Sequence, residues 1–103
     1  MKTKKEQKAK LKEWADTIKQ RDKNCVICHK TERLNAHHII PKEIKELKFD
    51  LMNGISLCPN HHRFSREISP HQNPFAFMLW LEKNRPKQFN YLKEKLSEVE
   101  DEK

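Results

Sequence analysis

The sequence predicts a small α+β fold in which two short strands and a following helix are flanked by further helices. Residues 34–40 (LNAHHII) end in branched side chains before a proline, and residues 54–58 (GISLC) form a second short apolar run, so both segments are predicted strands. Pro59 suits the first position of a helix, which we expect over residues 59–68. The core order is therefore strand, long loop, strand, helix.

The segments on either side of this core, which spans residues 21–68, are predicted helices. Residues 1–20 are lysine-rich, and their apolar positions recur every three or four residues, as in a basic amphipathic helix. Residues 69–97 contain two prolines that suit helix starts, and the acidic residues 98–103 are expected to fray. The apolar stripe expected on the first helix is Leu11, Trp14 and Ile18.

The polar residues at the beginning of the segment 69–97 favour the start of a helix there. Asn73 can cap the helix and Pro74 can occupy its first turn, which makes residue 74 the expected beginning. We expect the aromatic and aliphatic side chains that follow to pack in the core. The predicted apolar face is Phe75, Met78, Leu79 and Trp80.

Composition limits what holds this fold together. The chain has 103 residues, a net charge of +7 and 35% hydrophobic residues, whereas globular domains usually have roughly 45–50% apolar residues. The longest apolar run, residues 75–81, is too short to cross a membrane, and no secretory leader is visible. We therefore expect one small cytoplasmic domain that needs more than apolar burial for stability.

The cysteines indicate what supplies that stability. Cys25 and Cys28 are separated by two residues, and so are Cys58 and His61. Such pairs provide the four ligands of a tetrahedral zinc site, whose binding contributes about 10–16 kcal/mol of apparent folding free energy. A redox pair or a chance spacing is the competing interpretation of the first pair alone. An odd number of cysteines without secretory context disfavours disulfides.

Three further histidines lie beside these predicted ligands. His37 and His38 are neighbours on a predicted strand, where successive side chains point to opposite faces. The two histidines are therefore expected to have different functional roles. His62 follows His61 and is rotated by about 100° around the helix axis, so His61 can face the zinc while His62 faces the strands. A lone histidine is most often a surface or core residue, but this spaced set favours a second site.

Four short motifs stand in order along the chain: CVIC at residues 25–28, AHHIIP at 36–41, NGI at 53–55 and LCPNHH at 57–62. Together they resemble the HNH nuclease family, which is built on the ββα-metal (His-Me finger) motif, here in its zinc-stapled form. His38, Asn53 and His62 match in order the three positions of the family name. The resemblance covers about residues 21–66, and the helical tail is similar to that of small phage-type members.

The resemblance implies a metal-dependent DNA endonuclease that hydrolyses phosphodiester bonds and leaves 5′-phosphate ends. It places the general base at His38 and the ligands of one divalent ion (Mg²⁺, Mn²⁺, Co²⁺ or Ni²⁺) at His37 and His62. Many members have Asp at the position of His37, so this softer pair predicts activity with Mn²⁺, Co²⁺ or Ni²⁺ at least equal to that with Mg²⁺. Asn53 is expected to clamp the loop over residues 41–52, although a plain turn asparagine is the alternative.

The resemblance also implies a structural zinc and a nucleic-acid partner. It carries over Cys25, Cys28, Cys58 and His61 as the zinc ligands, which leave no open coordination position. DNA is expected to bind mostly through its phosphate backbone, with the first helix making non-specific contacts. The sequence leaves open whether the protein forms a homodimer and whether it binds phage packaging-type partners. The candidate phosphate-binding residues are Arg63, Arg66 and Lys42.

Two other functions stay open at this stage. A zinc-stapled nucleic-acid-binding module without catalysis explains the charge and the cysteines equally well, and a small protein-interaction zinc domain is a third possibility. The pair His37 and His62 separates the first alternative from a nuclease, because a binding module needs no such pair facing one cavity. His29 and His71 match no motif position and are expected to be surface residues, with zinc ligation as the alternative for His29.

Overall fold

The structure, a computed structural model, describes residues 3–101. It confirms a small α+β fold with a two-stranded sheet and helices within that range. Chain contacts divide it into two compact units, residues 1–58 and 59–103, which are described in turn. The elements in chain order are α1 (Lys4–Asp22), β1 (Asn35–His38), β2 (Gly54–Leu57), α2 (Pro74–Asn84) and α3 (Pro86–Asp101).

Helix α1 follows the predicted apolar stripe but ends later than residue 20. The Thr3 side chain accepts a hydrogen bond from the Glu6 N–H at 3.1 Å and caps the first turn. Lys23 ends the helix in the left-handed conformation. Trp14 and Ile18 are buried, which confirms these two residues as the packing face. Residues 1 and 2 of the predicted helix lie outside the described residues.

The two strands form one antiparallel pair, and α1 packs against both of them. Asn35 lies opposite Leu57, and His38 lies opposite Gly54. Both predicted strands are present, although each is shorter than the apolar run that predicted it. Two single helical turns, Lys45–Leu47 and Leu51–Asn53, occupy the loop between them.

Gly54 is required by the close approach of α1. Its φ of −134° is ordinary extended backbone, which any residue adopts, so the requirement for glycine is not conformational. A Cβ atom at this position would lie 2.6 Å from Cζ2 of Trp14 and would overlap the side chain of Ile18. The absence of a side chain at Gly54 therefore sets how closely the helix approaches the sheet.

The end of α1 is also tied to β2 by polar side chains. The Asp22 carboxylate, 3% exposed, accepts a hydrogen bond from the Ser56 N–H at 2.9 Å. The Arg21 guanidinium bonds to the same carboxylate and donates to the carbonyl groups of Leu51 and Gly54 at 2.7 and 2.8 Å. These bonds anchor the C-terminal turn of α1 on the second strand.

The second unit begins with a π-helical turn at Asn60–Phe64, closed by the Ser65 N–H donating to the Asn60 carbonyl at 2.8 Å. The predicted helix to residue 68 is therefore wrong. Ser65 has extended backbone, and the buried Ser69 hydroxyl donates to the His62 carbonyl at 2.8 Å. That side-chain bond replaces the next backbone bond of a continuing α-helix.

Helix α2 begins where Asn73 and Pro74 predict, with the Asn73 side chain accepting from the Ala76 N–H at 3.1 Å. Its buried face differs from the prediction, since Phe77 and Leu81 are buried while Phe75 is 74% and Leu79 is 53% exposed. Residues two positions from Phe77 are rotated by about 200° around the axis and so point away from its face.

Helix α3 packs against α2 and continues through Asp101. Residues 98–101 are therefore helical rather than frayed, and residues 102 and 103 lie outside the described range. The reason is that Val99, 8% exposed, lies two turns after Leu92, 3% exposed, and extends the same buried face. Among the described residues no helix has the length and apolarity to cross a membrane.

Replacing Gly54 by Ala should destabilise the protein by about 1–3 kcal/mol, because the new methyl group overpacks the contact with Ile18 and Trp14. Urea denaturation measures the change. Ser56→Ala is the matched control two residues along the same strand. The Ser56 hydroxyl is buried without a hydrogen-bond partner, so its removal should be nearly neutral. Equal stability of Gly54→Ala and the parent would contradict the packing argument.

Candidate functional site

The first cysteine pair lies on a tight turn stabilised by backbone hydrogen bonds. The Cys25 N–H donates to the Lys30 carbonyl at 2.8 Å, and the His29 N–H donates to the Cys25 carbonyl at 2.8 Å. His29 adopts the left-handed conformation, with φ of 67°. Cys58 directly follows β2, and its sulfur lies 3.7 Å from that of Cys28. This turn therefore presents its thiols to the end of the second strand.

The arrangement of the cysteine thiols fits a metal ion with tetrahedral coordination. Ligand sulfurs held 2.3 Å from one ion are about 3.8 Å apart, close to the observed Cys28–Cys58 separation. The ligand atoms of Cys25, Cys28, Cys58 and His61 all lie within 4.8 Å of one another, and the three cysteines form no disulfide. These four residues could therefore hold a metal ion, as their spacing predicts.

The protonation of the thiols supports the same conclusion. Burial raises the pKa of Cys25, but backbone hydrogen bonds from Cys28, Cys58 and Ile27 outweigh it, so the pKa lies below its ordinary value. Burial raises the pKa of Cys28, and its cysteine neighbours raise it further. Three ionised thiols in one place repel one another, so a bound cation is the group that would hold all of them as thiolates.

His38 is held between an aromatic ring and a carbonyl group. Trp14 stacks on it with ring centroids 3.9 Å apart and planes at 9°, and the Trp14 indole donates to the Asp50 carbonyl at 2.9 Å. Nε2 of His38 lies 2.9 Å from the Lys48 carbonyl, which can only accept, so Nε2 carries the proton and Nδ1 keeps a lone pair. Burial lowers the pKa of His38, and the charge of Lys42 lowers it further.

Asn53 joins the two ends of the loop between the strands. Its side chain is fully buried; Oδ1 accepts from the Ile40 N–H at 2.6 Å, and Nδ2 donates to the carbonyls of Ile40 and Leu47 at 2.9 and 3.0 Å. The oxygen and the nitrogen of the Asn53 side-chain amide are therefore both hydrogen-bonded. This bonding differs from that of a plain turn asparagine, because it reaches residues 13 and 6 positions away.

Two of the remaining histidines, His62 and His71, form a pair in the second unit, and His37 lies on β1 in the first unit. Nε2 of His62 is 3.1 Å from Nε2 of His71, and their rings meet edge to face at 84°. Burial lowers the pKa of His62 to about 4, with smaller effects from His71 and Arg63, so its ring is neutral at pH 7.

The three candidate phosphate-binding residues are exposed. The charge of Lys42 lowers the pKa of His38, and the charge of Arg63 lowers that of His62, so each lies within electrostatic range of a histidine. Arg66 follows the π-helical turn, and its carbonyl accepts from the Asn73 side chain at 3.3 Å.

Sequence reasoning missed two features of these groups. His71 is exposed, as predicted, but the turn over residues 69–72 also brings its ring to His62. No regular spacing connects the two positions in the sequence. Trp14 was predicted as a core residue from its helical spacing, and only the tertiary packing shows that it stacks on His38.

Comparison with known proteins connects this geometry to a family. Residues 25–66 match the family model for HNH endonuclease, which confirms the recognised family over this part of the chain. The match contains Cys25, His38, Asn53 and His62, and it indicates a nuclease or a nucleic-acid-related function. No curated protein and no solved structure matches the chain significantly.

Replacing Cys28 by Ser should remove the metal bound by the cysteine group and lower the melting temperature. Structural zinc sites contribute about 10–16 kcal/mol of apparent folding free energy, so the loss of one candidate ligand should weaken both metal binding and folding. Metal content after dialysis and thermal unfolding measure the effect. His29→Asn is the adjacent control, because asparagine tolerates the left-handed backbone at this position. Zinc retained equally by both variants and the parent would contradict the assignment.

Proposed function

We propose that the protein is a metal-dependent DNA endonuclease of the HNH type that hydrolyses phosphodiester bonds. The observation that carries this proposal is the position of His38 within the HNH match of residues 25–66. Its ring is restrained by Trp14 on one face and by the Lys48 carbonyl at Nε2, which leaves Nδ1 able to accept a proton. A restrained neutral imidazole with a lone pair is what a general base requires.

In the proposed reaction, Nδ1 of His38 takes a proton from a water molecule as the water oxygen attacks the scissile phosphorus. A bond forms between that oxygen and phosphorus, and the bond to the 3′ oxygen breaks. The 3′ oxygen leaves and acquires a proton from solvent, and the other product carries a 5′-phosphate. His38 then returns its proton to solvent, which restores the neutral ring.

His37 and His62 are the proposed ligands of a divalent ion. When bound, such an ion supplies positive charge that stabilises the negative charge developing on the phosphate and the leaving oxygen. The neutral state of His62 suits this role, since an imidazole must be unprotonated to ligate. His62 belongs to the short π-helical turn, and its carbonyl is held by the Ser69 hydroxyl.

Asn53 is proposed to act as a positioning residue. Its three hydrogen bonds connect the end of β1 with the turn at Lys45–Leu47, and the next residue, Lys48, supplies the carbonyl that holds His38. The amide therefore supports the base through the loop rather than through contact with the reacting atoms.

The Cys25, Cys28, Cys58 and His61 group is proposed to hold a structural zinc ion. Four protein ligands would leave no position for water, so this ion would not take part in the reaction. The thiols also suit a reducing intracellular compartment, where cysteines stay available for metal binding.

The DNA is proposed to bind mainly through its phosphates. Lys42 and Arg63 lie within electrostatic range of His38 and His62, and Arg66 follows on the same segment. The lysines of α1 supply further positive charge, in a chain whose net charge is +7. We propose non-specific backbone contact for α1, with a salt-dependent affinity.

Replacing His38 by Ala should abolish plasmid cleavage in the presence of Mn²⁺, because no other group in this arrangement is proposed to take the proton. Cleavage rate, zinc content and circular dichroism are measured together. His29→Asn serves as the histidine control and should cut like the parent. Cleavage by His38→Ala at the parental rate would show that the base is misassigned. A parent that binds DNA but never cuts it would support a non-catalytic binding module instead.

The choice of ion gives an independent expectation. A site with imidazole ligands is softer than one with a carboxylate, so Mn²⁺, Co²⁺ or Ni²⁺ should support cleavage at least as well as Mg²⁺. Initial cleavage rates are compared across these ions at equal concentration, with a chelator-treated sample as the blank. A strict requirement for Mg²⁺ would contradict the proposed ligands.

A further inference from the structure

An open groove of about 280 Å³ lies between α1 and the loop that joins the two strands, within the first unit. Trp14 and Thr17 line it from the helix, and Phe49 and Leu51 line it from the loop. Pockets for drug-sized ligands measure about 300–1,000 Å³, so this groove has room for a smaller flat group. Trp14 also stacks on His38, so the groove adjoins the proposed general base.

Two lysine ammonium groups lie over the half-buried Phe49 ring. Nζ of Lys10 is 5.1 Å from the ring centroid, and Nζ of Lys48 is 5.4 Å from it. A cation over a solvent-accessible ring is weakly held, so a flat group can replace it on the ring. Single-stranded nucleic acids bind to this combination, because their bases stack on an aromatic ring while their phosphates contact nearby cations.

Glu13 indicates which part of a nucleotide enters the groove. Its exposed carboxylate lines the groove and forms no ion pair within residues 3–101. A negative charge repels phosphate but accepts hydrogen bonds from a neutral base. The Thr17 hydroxyl donates to the Glu13 carbonyl at 2.8 Å, which leaves its own oxygen as a further acceptor. Guanine suits these acceptors best, because its Watson–Crick edge presents two adjacent donors, N1–H and N2–H₂, to a carboxylate.

We propose that this groove binds one unpaired base of a DNA strand, with guanine preferred, so that the substrate is single-stranded or locally unpaired DNA. A base inside a duplex is stacked and paired, and it cannot enter the groove without leaving the stack. The inference rests on the proposed function for the choice of DNA, but it concerns binding and needs no cleavage. Phe49 stacks on the base, Glu13 accepts from its edge, and Lys10 and Lys48 contact the adjoining phosphates.

The test measures the fluorescence anisotropy of labelled oligonucleotides with the zinc-loaded protein and no other added metal ion. The parent should bind a thymidine strand with one central guanine more tightly than the same strand without guanine. Phe49→Leu keeps an apolar side chain but loses the flat ring, so its affinity for the single strand should fall about fivefold or more, with little change for a blunt duplex. Phe75→Leu, the control, changes a phenylalanine that is 74% exposed on α2 and should bind like the parent.

A second variant tests recognition of the base with little risk to folding, because Glu13 is exposed. Glu13→Gln replaces one acceptor oxygen by a donor, so the ratio of affinities for the guanine-containing and the all-thymidine strand should fall about tenfold. Loss of the negative charge by itself would raise both affinities equally and leave the ratio unchanged. An unchanged ratio in Glu13→Gln, parental single-strand binding by Phe49→Leu, or an equal loss of its duplex binding would overturn the proposal.

Binding and cleavage give separate answers. If the parent binds the guanine-containing strand through Phe49 and cuts no DNA in the presence of Mn²⁺, the assignment of the groove holds and the nuclease proposal fails. If the parent cuts DNA and Phe49→Leu binds single strands as tightly as the parent, the nuclease proposal stands and the assignment of the groove is wrong.

Discussion

The close approach of α1 to β2 is the contact on which the arrangement of residues 3–58 depends. It is possible because Gly54 has no side chain where Ile18 and Trp14 reach the sheet. The same approach places the Trp14 ring on His38 and lets the Asp22 carboxylate accept from β2. A helix that also carries much of the positive charge is thereby fixed directly beside the proposed base.

Buried polar side chains contribute much of the order that a chain with few apolar residues cannot obtain from its core. Asn53, Ser69 and Asp22 are each nearly or fully buried, and each bonds to backbone groups distant in sequence. Buried hydrogen bonds of this kind are expensive to break, because the partner left behind loses both protein and water. Such bonds therefore fix the loop and the turn on which the proposed site depends.

Several elements could be predicted because their signals are local. The stripe of Trp14 and Ile18, the two short strands and the cap at Asn73 follow from spacing and side-chain chemistry over a few residues. The predictions that are wrong concern segments where a contact with another part of the chain competes with the local preference. The helix after Pro59 stops early because the Ser69 hydroxyl takes the His62 carbonyl, and α2 buries Phe77 rather than Phe75 because a neighbouring helix selects one face of an apolar surface.

The candidate ligand pairs of cysteine and histidine, the HNH motif and the adjacent histidines could all be predicted from the linear order of residues, since metal ligands on tight turns require short, regular gaps. The tertiary structure alone decided that His71 joins His62, that Trp14 covers His38 and that Asn53 bonds across the loop. These contacts join residues between 6 and 24 positions apart through folds of the backbone, and no periodicity in a sequence encodes such a distance.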